Sequence, residues 1–293
     1  MSASTTAASP RDPLAWNPAA RDRPLAAPLG PDSVTWRVFG DLTYVLGASR
    51  RLLMDVAHPT IAAGVREFSV FQTDPWGRGE RTLAMILGVV YGHEDALATA
   101  QRLREGHQAF RGTTPDGARW SALEPEAFHW VHASIVDGVW TQQRLLGRGW
   151  APREVERFYD EMREVGRLYG VRDRDMPTSW PRFRSWFDEV VADGLERSDM
   201  TDAVLHVAAH PTPPPVPILR HRPVWALPGW AGGRLNLLIT GGLLPAVLRE
   251  RLGVRWTPAH QHAFAANAAV LRATVSRLPA RLRLLPDAYE ATR

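Results

Sequence analysis

Apolar residues recur at helical rather than alternating spacing along nearly the whole chain. Trp36, Phe39, Leu42, Tyr44, Leu46, Leu52 and Leu53 predict one helix from a Ser33 cap to about Val56. His58-Pro59 stops it, because the residue before a proline avoids the helical region. Thr60 caps a short helix, Ile61 to Phe68. Asp74-Pro75 joins a capping carboxylate to a proline at the first helical position. It starts a helix that carries Arg78, Arg81 and Thr82 and ends near Gly92. Another runs from about Asp95 to Gly112, and Thr113 to Gly117 reads as a turn.

Further helices are predicted from Pro125 to about Gly147, from Pro152 to about Tyr169, and from the Pro177-Thr178 and Trp180-Pro181 start signals through Phe183, Trp186, Phe187 and Val190. Three more cover 199–210, 225–252 and 258–277. The run HPTPPPVPILRHRP (210–223) is too proline-dense for a helix and reads as a loop or an extended strap. The prediction is an all-α protein: a flexible N-terminal arm, 1–31, rich in Pro, Ala, Ser and Arg, then a single domain, 32–293, of about nine or ten helices.

Composition narrows the chemistry. There is no cysteine, hence no disulfide, thiolate metal site or cysteine nucleophile. All 35 basic residues are arginine, which removes Schiff-base and P-loop lysine chemistry. Net charge is +4, with arginines spread among acids rather than clustered, so no nucleic-acid partner is expected. The Ala, Arg, Pro and Gly richness is that of a GC-rich bacterial genome. MSASTTAASPRD lacks the pattern of a signal peptide, and the longest apolar run, Leu83 to Tyr91, is too short to span a bilayer. A cytoplasmic protein without a membrane span is the expectation.

The stretch Trp76 to Arg111 holds most of the candidate chemistry. His107 shares its helix face with Ala100, Leu103 and Phe110, so its imidazole points with the apolar side chains. Such a histidine is either a core residue bonded to a carbonyl or a ligand to iron or zinc. Arg78, Arg81 and Thr82, at i, i+3 and i+4, share a stripe that suits either carboxylate recognition or surface ion pairing. His129 and His132, at i and i+3, are either core residues or a pair able to reach one metal.

The order LLMDVAHPTIAAGV, FQTDPWGRGERTLAMILGVVYG, LREGHQAFRG, WVHASIVDG and ERFYDEMREVGRLYGV resembles the MpaB and latex-clearing-protein (rubber oxygenase) family over roughly residues 34–280. The resemblance implies an all-helical fold with a globin-like core, haem b, and an oxygenase acting on O2 and a small apolar substrate such as an alkene or terpenoid-like chain. It implies His107 as the iron ligand, Arg78, Arg81 and Thr82 as the pocket's catalytic and cofactor-binding residues, and His132 as a support behind it. The rubber oxygenases carry a lysine at the position of Arg81, and this chain has none, so a lysine-capped iron is excluded. Their catalytic carboxylate has no assigned counterpart, although Glu67 lies nearby. The alternatives are a non-enzymatic helical protein that binds haem or another apolar ligand, and a non-haem metal site at His129 and His132.

Overall fold

The structure, a computed structural model, describes residues 29–293 apart from 93–94, 115–116, 217 and 219–221. Most of the arm therefore lies outside the described residues, as does part of the 210–223 run.

The region predicted as one helix to Val56 is three: α1 (Val34–Phe39), α2 (Thr43–Leu46) and α3 (Ala48–Val56). Gly40 is the cause of the first break. The Tyr91 hydroxyl donates to the Trp36 carbonyl and accepts from the Gly40 N–H, both at 2.7 Å, and a side chain at Gly40 would collide with it. Asp41 then accepts from the Thr43 N–H and restarts the chain as α2. After α4 (Pro59–Phe68), the Asp74 carboxylate accepts from the Gly77 N–H and opens α5 (Pro75–Val90). A short connection leads to α6 (Ala96–His107), antiparallel to α5; Gly88 lets Thr99 approach closely where the two helices meet.

The expected turn at 113–117 is the tip of a small hairpin, β1 (Arg111–Thr113) with β2 (Arg119–Ser121), antiparallel with Gly112 opposite Trp120. These segments were too short to show as alternating pattern. The helices continue as α7 (Pro125–Leu145), α8 (Pro152–Tyr169), α9 (Trp180–Glu189) closed by a π turn (190–194), and α10 (Asp199–Ala209). Then come α11 (Arg222–Leu243), α12 (Ala246–Arg251), α13 (Pro258–Val275), α14 (Ala280–Arg283) and α15 (Pro286–Ala291). The predicted 225–252 helix divides at Pro245, which cannot donate within a helix.

The molecule is arranged around α7. Helix α7 is buried on most sides and packs against α1, α2, α3, α8 and α11. Its Trp130 is sealed, stacks on Phe187 at 5.1 Å and donates to the Met54 carbonyl. A smaller apolar cluster, Leu146, Ile239, Leu243, Phe264 and Ala268, joins α11 and α13 to the end of α7.

Candidate functional site

Helix α5 places Arg78, Arg81 and Thr82 on adjoining turns, but their side chains have different surroundings. Arg81 is exposed and paired with Asp74, the residue that caps its own helix, at 3.3 Å. Thr82 is exposed and its hydroxyl donates to the Arg78 carbonyl. Only Arg78 turns inward. It is half-buried, its pKa is lowered by desolvation, and the Asp55 carboxylate opposes that shift while Arg51 and Arg81 add to it. The stripe expected to face the interior is thus one interior arginine with two surface neighbours.

His107 closes α6, half-buried, beside Phe110 at 5.3 Å between ring centres. Its Nδ1 lies 2.7 Å from the Leu103 carbonyl one turn back, so Nδ1 carries the proton and donates, and Nε2 keeps its lone pair. Burial lowers its pKa, the direction that keeps the ring neutral. Because α5 and α6 are antiparallel, the end of α6 and the beginning of α5 lie at one end of the pair. His107 and the Arg78–Thr82 turns are therefore level with each other.

His132 is elsewhere. It lies on the α8 side of α7, 6% exposed, against Gly166. Gly166 has no side chain to cover the Met162 carbonyl one turn before it, and the His132 ring hydrogen-bonds to the Met162 backbone through that gap. Desolvation is the main cause that pulls its pKa down to about 3, with His129 adding to it. His129 stacks on Trp186 at 4.4 Å, and burial lowers it to about 4. Among the described residues, no group of three or more His, Asp or Glu is placed to hold a metal ion. The two histidines read as packed core groups.

The sequence reasoning did not single out the groups facing Arg78. Asp55 on α3 is only half-buried, yet desolvation raises its pKa to about 6. A carboxylate deep enough to lose hydration but still reachable by solvent lines a cleft rather than a packed core. Arg51, one helical turn earlier, has the same character: half-buried, desolvated, its guanidinium 3.8 Å from the centre of the Tyr44 ring. Opposite Asp55, the Ser134 hydroxyl is 2.6 Å from Asp55 Oδ1 and 2.9 Å from the Val131 carbonyl. A hydroxyl has one proton, so it donates to one of these at a time. When Asp55 is ionised, Ser134 donates to it. When Asp55 is protonated, the acid donates to Ser134, which donates to Val131. Both protonation states therefore have a satisfied arrangement. The signal was legible: Arg51 and Asp55 are i and i+4 across the apolar run Leu52-Leu53-Met54.

One turn along α7, Asp137 binds Arg50 and Arg184 in a buried ion network; Arg50 also donates to the Leu243 carbonyl. Arg50 and Asp137 are sealed, which makes this network a clamp between helices rather than part of the cleft.

A family model described as "ER-bound oxygenase mpaB/B'/Rubber oxygenase, catalytic domain" matches residues 36–273, most of the chain. No curated protein and no solved structure matches. The chain belongs to this oxygenase family, and the match covers the helices that carry Asp55, Arg78, His107 and Ser134.

Proposed function

We propose that this member of the mpaB/rubber oxygenase family is a haem b-dependent oxygenase for a small apolar substrate, with His107 as the iron ligand. The observation that carries the reading is the state of the His107 ring: neutral, with Nδ1 engaged by Leu103 and Nε2 left as a lone-pair donor. A haem-ligating histidine needs that tautomer, fixed by a carbonyl behind it. Arg78 fits the same group. Among the described residues its guanidinium has electrostatic neighbours but no hydrogen bond or ion pair, so its donors are free for a porphyrin carboxylate. When bound, haem supplies the redox chemistry of oxygen activation.

The chain's own residues do the rest. Leu103 orients His107. Arg78 and Arg51 make the cleft electropositive at Asp55. Asp55 holds or releases a proton at Oδ1 near neutral pH, with Ser134 turning its hydroxyl to match. Thr82 spends its proton on its own helix and offers oxygen lone pairs, so it acts on a ligand as an acceptor or after breaking that bond. Arg81 cannot ligate iron, since guanidinium has no lone pair to give; its pairing with Asp74 holds the first turn of α5 in place. The apolar substrate class rests on the family.

Spectroscopy tests this directly. Protein reconstituted with haem should show a Soret band that His107→Ala loses and His129→Ala keeps. A wild type that never shows the band, or a His107→Ala protein that keeps it unchanged, overturns the assignment. Oxygen uptake with apolar alkenes then separates an enzyme from a haem-binding protein that does not turn over.

A further inference from the structure

From Ala203 to Arg249 the sequence contains no Asp or Glu, although the chain has 31 of them. The same stretch carries four arginines (220, 222, 234 and 249) and three histidines (206, 210 and 221). Its long element, α11, exposes apolar surface where a surface helix normally presents charge. Gly233 sits against the Ala209 carbonyl and Asn236 donates to the Ala208 carbonyl, which fixes the face turned toward α10. The opposite face displays Val224, Leu227 and Leu235 in a helical stripe, with Trp230 beside it. Leu227 is 71% exposed and Trp230 61%. Arg234 lies 5.2 Å from the Trp230 ring centre and puts a cation at the rim of the apolar surface.

The strap links this helix to α5. The carbonyls of Pro211 and Thr212, on the proline strap, accept from the indoles of Trp225 on α11 and Trp76 on α5. Trp76 is itself 49% exposed on the first turn of α5, so the strap ties α11 to the helix that carries Arg78. Among the described residues no helix is long and apolar enough to cross a membrane, and α11 carries Pro228 in its interior. A helix with a broad apolar face, basic and tryptophan flanks and no acids suits the plane of a lipid interface. A symmetric pair of copies is the poorer occupant: the segment offers no carboxylate to pair with Arg234.

We propose that the exposed face of α11 docks this protein onto an anionic lipid bilayer, with Val224, Leu227, Trp230 and Leu235 seated in the headgroup region. Docking does not depend on haem. Its use rests on the proposed function: it brings the cleft beside Trp76 to the phase in which an apolar substrate dissolves.

The test is sedimentation of the full chain with vesicles of phosphatidylcholine plus phosphatidylglycerol, and with phosphatidylcholine alone. Binding to the mixed vesicles is expected at low salt, with a blue shift in tryptophan emission, weakening as salt screens the arginines. Leu227→Asp should lower partitioning on the order of tenfold or more, because it replaces a buried-on-binding leucine with a charge. Both Leu227 and Trp230 are exposed, so L227D and W230E should leave the circular dichroism unchanged. Absence of binding to the mixed vesicles overturns the proposal. So does binding that L227D and W230E both leave intact, which would assign it to another segment. A dimer that L227D dissociates, without vesicle binding, makes the patch a self-interface instead. None of these readouts uses the Soret band, so loss of the haem assignment and loss of this one are separate results.

Discussion

Helix α7 borders two polar regions that differ in access. In one, His129 and His132 are packed against α8 and α9, and, at the α3 contact one turn from Ser134, Arg50 and Asp137 are sealed. In the other, Asp55, Arg51 and Arg78 have lost hydration yet stay half-buried. Desolvation lowers the two histidines of the first region and perturbs Asp55, Arg51 and Arg78 in the second. The histidines are enclosed by stacked rings and neighbouring helices, so their perturbation records packing. Asp55 and Arg78 keep part of their surface in contact with solvent. Perturbed ionisation alone therefore does not mark a site; perturbation together with access does.

The largest expected contrast is between Asp137→Ala and Asp55→Asn. Removing Asp137 leaves the sealed Arg50 charge without its carboxylate and should cost about 3–5 kcal/mol in denaturant unfolding. Asp55→Asn should cost little and, at pH 8, should stabilise by about 1–2 kcal/mol, since the raised pKa means that its ionised form is disfavoured in the fold. If Asp55→Asn destabilises as much as Asp137→Ala, the division into clamp and cleft fails.

Gly166→Ala comes next. The added methyl meets His132 Nε2 and the Met176 sulfur, and overpacking of this kind costs about 1–3 kcal/mol. Loss of stability without loss of haem binding would place His132 outside the pocket. Loss of both would restore its supporting role.

Acid titration of unfolding separates the regions by sign. His129 and His132 are held below the ordinary histidine pKa of 6.5, at about 4 and about 3. Their contribution to stability is complete above 6.5 and shrinks as pH falls toward those values, by about 1.4 kcal/mol per pH unit for each histidine. Asp55 runs the other way: its contribution is fully present below 3.8 and is lost as pH rises to about 6. His129→Gln should flatten the acid limb, while Asp55→Asn should steepen the net fall between pH 6 and 4. The smallest effect is expected from Arg81→Ala, whose pair with Asp74 is exposed on both sides. Its melting temperature should match wild type within error.

The helical fold was legible because start and stop signals such as Asp74-Pro75 and His58-Pro59 act locally. The break at Gly40 was not, because Tyr91, 51 residues away in sequence, fills the space there. His107 could be chosen from its apolar neighbours and the family resemblance, but the carbonyl that sets its tautomer is a property of the folded helix. The Arg78 stripe was half-readable: spacing put three residues on adjoining turns without telling which of them meets Asp55. Asp55 itself was visible as a lone acid in LLMDVA, and only the approach of Ser134 from α7 gave it a role.

Access to Asp55 couples occupancy of the cleft to protons. Any apolar molecule that displaces the remaining water disfavours the carboxylate further, so binding near pH 6 to 7 should draw a proton from the buffer. In a calorimeter the heat of binding should then change with the ionisation enthalpy of the buffer chosen. Asp55→Asn should remove that dependence while leaving the apolar contacts to bind as before.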